Sequence, residues 1–88
     1  MDKNTSLSLL EEVAQKLDIK IRYETVKKED FIHTGGLCQL QGRYILIINS
    51  KASTGEKIRL LASALKRFDL SHIYIRPAVR DLVDSLGE

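Results

Sequence analysis

His33, Cys38 and His72 are the only soft metal ligands in this sequence. A zinc site usually pairs its ligands about two to four residues apart. The gaps here are five residues (33 to 38) and thirty-four (38 to 72), so a His-Cys-His site would have to be assembled by the tertiary fold. Cys38 would act as a nucleophile only beside a base in an electropositive, partly open setting, and His33 is the one histidine near it in sequence. The plainer reading takes His33 as a loop residue, Cys38 as a small hydrophobe in a strand and His72 as a residue near a helix end. On that reading the chain needs no metal and no cofactor and has no catalytic residue.

Two shorter phrases suggest chemistry without its full pattern. Gly35-Gly36 lacks the Gly-x-Gly-x-x-Gly spacing, or a following Gly-Lys-Ser/Thr, that lets backbone N–H groups cradle a phosphate. Glycine's conformational freedom where a strand begins accounts for it. Thr54-Gly55-Glu56-Lys57 looks like the linker of zinc-finger arrays, but no ligand pairs flank it, so it reads as a helix start. The better candidate for a binding surface is the strip Arg59, Ser63, Lys66 and Arg67. Arg59, Ser63 and Arg67 recur every fourth residue and so stack along one helical face. Such a strip suits an acidic partner, a phosphate or RNA; as an ordinary solvated face it binds nothing.

The elements that would carry these residues follow from periodicity. Leu7, Leu10, Val13, Ala14 and Leu17 share one helical face opposite Glu11, Glu12, Gln15 and Lys16, which predicts a helix over 7–17. Ser8 with Glu11 supplies a capping box, and Thr5 or Ser6 offers an earlier start. Ile19, Ile21 and Tyr23 alternate with Lys20, Arg22 and Glu24, as in a half-exposed strand over 19–26. Residues 27–36, anchored only by Phe31 and Ile32, read as a loop. Strands over 37–41 and 44–50 then meet at Gln41-Gly42-Arg43, where Gly42 supplies a positive φ. Tyr44-Ile-Leu-Ile-Ile48 is apolar on both faces, which predicts a central strand covered on both sides.

Ser53 and Glu56 form a second capping box, opening a helix to about residue 69. Its apolar residues, from Ile58 to Phe68, span roughly 200° of the wheel, about twice what a surface helix needs. This helix is therefore expected to be packed on two sides, by another helix or by a partner chain. Ile73 and Ile75 are expected to point inward across the connection 69–76. Pro77 opens a last helix with Ala78, Val79, Leu82, Val83 and Leu86 on its apolar face. Arg80 and Asp84 are spaced there for an ion pair, and Gly87 ends the helix. The order α-β-β-β-α-α predicts a single α+β domain over 1–88, a three-stranded antiparallel meander sheet packed by helices.

Composition narrows the function classes. Eighty-eight residues fit one domain on the usual scale of about 100–150 residues and no second core. With 43% hydrophobic residues the chain is not of disordered composition. No apolar run reaches the roughly 18 residues of a membrane span, and no export signal opens the sequence, so no membrane partner is expected. One cysteine excludes an internal disulfide framework and suits the reducing cytoplasm, the expected location. The net charge is +2, from 14 Lys and Arg against 12 Asp and Glu spread along the chain. That lacks the clustered basic stripe of a nucleic-acid binder, so nucleic acid is not an expected partner. A chain this short buries only about 60–65% of its unfolded surface and depends on a dense or shared core.

Gly42-Arg-Tyr-Ile-Leu-Ile-Ile-Asn49, followed by Glu56-Lys-Ile-Arg-Leu-Leu-Ala-Ser-Ala-Leu65, resembles the zinc peptidases that cleave bacterial repressors, the ImmA/IrrE kind. The likeness covers roughly residues 7–70. It implies an initial helix and a small sheet ending in an Ile-x-Asn phrase. The helix that follows carries His-Glu-Leu-Gly-His in that family. Set on that motif, the first zinc histidine falls on Ser63, the catalytic glutamate on Ala64, the glycine on Lys66 and the second histidine on Arg67; Leu65 matches. Two ligands and the general base are missing together, and Ser and Arg cannot replace histidines on Zn²⁺. Asp81 or Asp84 could stand where an acidic third ligand would come from, but alone they bind nothing. The resemblance thus implies a shortened, catalytically degenerate relative whose old active-site strip is Arg59, Ser63 and Arg67. The whole chain also looks like small bacterial proteins of unknown function.

The resulting expectation is a cytoplasmic, non-enzymatic domain acting by protein association, as a homodimer or with another protein. Its grounds are the two-sided helix 56–68 and an open sheet edge at strand 19–26. Two alternatives stand beside it: a degenerate metallopeptidase-like or hydrolase site around His33, Cys38 and His72, and weak nucleic-acid or phosphate binding through Arg59, Ser63, Lys66 and Arg67.

Overall fold

The computed structural model describes residues 2–25 and 35–86. They form an α+β fold in the order α1 (Lys3–Lys16), β1 (Ile19–Glu24), β2 (Gly35–Leu40), β3 (Arg43–Asn49), α2 (Thr54–Leu65) and α3 (Pro77–Leu86). Helix α1 begins before its apolar face does, because Asp2 rather than Ser8 caps it. The Asp2 carboxylate accepts the Thr5 N–H at 2.7 Å. At the other end Asp18 takes a left-handed φ of 61° and turns the chain into β1. The capping box of α2 forms as expected: the Glu56 N–H donates to Ser53 Oγ at 3.1 Å, and the Glu56 carboxylate accepts the Ser53 N–H. Helix α2 ends at Leu65, short of residue 69. The Arg67 and Phe68 N–H groups bond to the carbonyls of Ala64 and Leu65, tightening the last turn. That turn carries the Phe68 ring edge-on to Tyr44, with centroids 4.9 Å apart.

The sheet departs from the expected antiparallel meander. Its strand order is β1-β3-β2, with β1 parallel and β2 antiparallel to β3. Ile19 lies opposite Tyr44 and Tyr23 opposite Ile48 on one side; Leu37 lies opposite Leu46 and Leu40 opposite Arg43 on the other. A meander would leave β3, with its uncharged Ile45–Ile48 run, at an edge with one row of N–H and C=O groups open. In the middle its backbone is paired on both sides. Strands β2 and β3 join through a two-residue turn, Gln41-Gly42, with φ values of 53° and 79°. Strand β2 begins at Gly35 rather than residue 37, and the loop expected over 27–34 lies outside the described residues.

One core cluster ties the layers together. Leu10 of α1, Leu46 and Ile48 of β3, Leu61 and Leu65 of α2, and Val79 and Val83 of α3 are all fully buried. Helix α1 lies on β1, α2 lies on β3, the two helices pack on each other, and α3 packs on both. The two apolar sides of α2 are therefore covered from within the chain. Ile75 is buried and Ile73 half-buried in the connection, as expected. Arg80 and Asp84 make no ion pair; the Asp84 backbone carbonyl instead accepts Lys66 Nζ at 3.3 Å. Gly87 lies outside the described residues. Strand β3 is covered on one face only among the described residues: Leu46 and Ile48 face the helices, while Ile45 and Ile47 on the opposite face remain half-buried.

Candidate functional site

The fold divides the strip Arg59, Ser63, Lys66 and Arg67. Ser63 and Arg67 line a cleft of about 150 Å³ between α2 and β2, walled by Gly36, Leu37, Leu46, Leu60 and Ala64. Arg59 is exposed, and Lys66 reaches the other way, to α3. Among the described residues no ion pair engages the Arg67 guanidinium. The cleft is smaller than the roughly 300 Å³ at which small-molecule sites begin. Among the described residues the cleft is lined by one hydroxyl and one guanidinium with no carboxylate or imidazole beside them, a pair that can hold an anionic side chain. Ala64, beside Ser63 on the same helix, is buried.

The soft ligands do not form a constellation among the described residues. His33 lies outside them. Cys38 is a free, exposed thiol on the face of β2 turned away from the helices. His72 is exposed in the turn after α2, with its Nε2 3.2 Å from Asp69 Oδ2. Asp69 also accepts the Ser71 hydroxyl at 2.6 Å and the Ser71 N–H at 3.0 Å. The Ser71 hydroxyl first, and then its N–H, hold the Asp69 carboxyl below the ordinary carboxylate range. Asp, Ser and His are the residue types of a hydrolytic triad, but here Ser71 donates to the aspartate and not to the histidine. No base takes its proton. The arrangement closes a turn, and its local signal, an Asp two residues before a Ser, is legible in Asp69-Leu70-Ser71. Among the described residues no three His, Cys, Asp or Glu converge to hold a metal ion.

On the β1 side, the Tyr23 hydroxyl donates to the Glu11 carboxylate, and Lys57 Nζ stands 5.4 Å from the centre of the Tyr23 ring. Burial raises the phenol well above its ordinary value, and the hydrogen bond and charge of Glu11 add to this. Tyr23 is thus held protonated, as a donor and not a base. It borders an open groove of about 400 Å³ with Glu11, Gln15, Ile19, Lys20 and Ile21. No spacing announces this contact, since Glu11 and Tyr23 belong to different elements.

An uncharged, uncovered surface among the described residues lies on β2. Across the face away from the helices, Lys20, Ile45 and Cys38 form one row, and Arg22, Ile47 and Gly36 the next. Charge sits on the β1 side, where Arg22 Nη2 is 2.6 Å from Glu24 Oε2. Strand β2, Gly-Gly-Leu-Cys-Gln-Leu, carries none. Leu40 at its end is 60% exposed. Among the described residues β2 pairs with β3 alone, so its outer edge is open.

No helix among the described residues is long and apolar enough to cross a membrane. No protein-family model, curated protein or solved structure matches the chain.

Proposed function

We propose that this chain is a non-catalytic protein-association domain that engages another polypeptide through the β2 side of its sheet, in a reducing compartment such as the cytoplasm. The observation that carries the reading is Leu40, 60% exposed on an edge strand without a charged residue. Sheet edges are ordinarily blunted by Lys, Pro or a covering element, because their free N–H and C=O groups will pair with any strand. Strand β2 has neither Lys nor Pro. Ile45 and Ile47 extend the uncharged surface inward from it. The free, exposed Cys38 suits a compartment that keeps thiols reduced. Ser63, Ala64 and Arg67, where a zinc peptidase would carry its motif, offer contact and no hydrolysis.

A photo-reactive side chain installed in place of Leu40, with one in place of Arg22 as the control, tests the reading in the source cells. Irradiation is expected to give a discrete polypeptide adduct from position 40 and none from position 22. The absence of any discrete adduct from position 40 would sink the proposal.

A further inference from the structure

The geometry of the β2 edge points to its occupant: we infer that a second copy of this chain pairs with it, β2 antiparallel to β2 about a twofold axis through Cys38, in one continuous six-stranded sheet. The inference rests on the association reading above and names the partner.

Backbone direction supplies the first argument. In the two-residue turn Gln41-Gly42, Leu40 and Arg43 bond to each other, so the polar groups of Leu40 face β3. By the alternation of an antiparallel ladder, those of Cys38 and Gly36 also face β3, while those of Gly35, Leu37 and Gln39 point outward. The open edge thus presents its N–H groups at Leu37 and Gln39. An antiparallel partner that satisfies them sets Leu37 against Gln39 of the copy and Gln39 against Leu37. Cys38 then faces its own counterpart.

Shape and charge supply the second. In that register Leu40 of each copy lies over Gly36 of the other. Leu40 is 60% exposed, and among the described residues nothing lies within 4 Å of where a Cβ on Gly36 would stand. A projecting leucine and a vacant glycine on the same strand are self-complementary, as a twofold interface requires. No residue of β2 is charged, so two copies meet without repulsion. Strand β1, by contrast, carries Lys20, Arg22 and Glu24 on the face away from the helices. The seam of five residues is roughly 17 Å long. That is short for an interface of about 800 Å² per partner, so micromolar and not nanomolar pairing is expected.

The test uses the full chain, reduced, in sedimentation equilibrium between about 10 µM and about 500 µM, a range that brackets micromolar pairing. The mass is expected to rise from 10.0 kDa toward twice that value. Diamide, which takes up the two protons and two electrons released as two thiols join, should convert Cys38 to an intermolecular disulfide in step with dimer formation. Opposed residues at a non-hydrogen-bonded position stand about 4.5 Å apart at Cα, within disulfide reach. Gln39→Pro removes an outward N–H while leaving the β3 ladder intact, and should weaken association at least tenfold. If that variant does not fold, Leu40→Lys, which sets a charge over the partner's glycine notch, should do the same. A single-chain mass at about 500 µM, disulfide formation no faster than in the Leu40→Lys chain, or undiminished pairing in the folded edge variants overturns the inference. A single-chain mass together with a photo-adduct from position 40 to a different polypeptide overturns the second copy alone; no adduct of any mass removes the association reading as well.

Discussion

On one side of β3, β1 lies under α1, and Ile19 at its start is 3% exposed. Tyr23 near its end is tied to α1 through Glu11, and its outer face carries Lys20, Arg22 and Glu24. On the other side, β2 adjoins the Ser63–Arg67 cleft, carries no charge and ends in a leucine that is 60% exposed. Both strands are six residues long and both pair with the same neighbour. The difference is helical cover. Burying an aliphatic side chain contributes about 1.5–3 kcal/mol only where something excludes water from it. Ile19 gains that from α1, whereas Leu40 gains it only when another surface arrives.

The sharpest way to break this comparison is to truncate one aliphatic on each side. Ile19→Ala should cost about 2–5 kcal/mol, and Leu40→Ala should stay within about 0.5 kcal/mol, both read by urea unfolding at low protein concentration. Equal losses would mean that the two halves are equally buried. Next in size is the cap of the helix that covers β1: Asp2→Ala should lower stability measurably in urea unfolding and Asp2→Asn much less. The Thr5 N–H depresses the Asp2 pKa below 3.8 in the fold. Its contribution is therefore complete above that unfolded value and is lost as pH falls through the lower folded one. Asp2→Asn should flatten that part of the acid limb.

Tyr23→Phe removes the bond to Glu11 and should cost about 1 kcal/mol or less, the site being partly solvated. The folded phenol's pKa is raised, so its contribution is complete below about 10 and lost as pH climbs beyond it. Unfolding measured across that range should show a shallower alkaline decline in the phenylalanine variant. The smallest effect is expected from Arg22→Ala. Its pair with Glu24 is exposed on both sides, and such pairs contribute about 0–1 kcal/mol. A larger loss would show that the β1 side is held by surface charge and not by α1.

Local signals in the sequence read well. Ser53 and Glu56 cap α2 because the box closes within four residues, and Pro77 opens α3 because its φ is set by its own ring. The apolar run Tyr44–Ile48 points to a central strand, but the meander expected from chain order would put it at an edge, and only the observed order β1-β3-β2 resolves the conflict. Asp2 was missed as a cap because the first turn of α1 holds no apolar residue to extend the pattern backward. The four-residue strip was legible as a helix face, yet the packing of α2 against β3 and α3 places Ser63 and Arg67 at the β2 cleft and Lys66 at α3.

What the sequence determined by itself was the identity and order of the elements, the apolar face of each, and the absence of charge on β2, since these depend on residues a few positions apart. Only the tertiary structure decided that β1 runs parallel to β3, because a period of two is the same whichever neighbour a strand takes and whichever way it runs. It also decided which surfaces stay uncovered. The two-sided face of α2 is satisfied by α1 and α3, and among the described residues Leu40 of β2 is left exposed. Long-range packing allots a limited helical cover among competing apolar faces, and no local pattern records which face goes without.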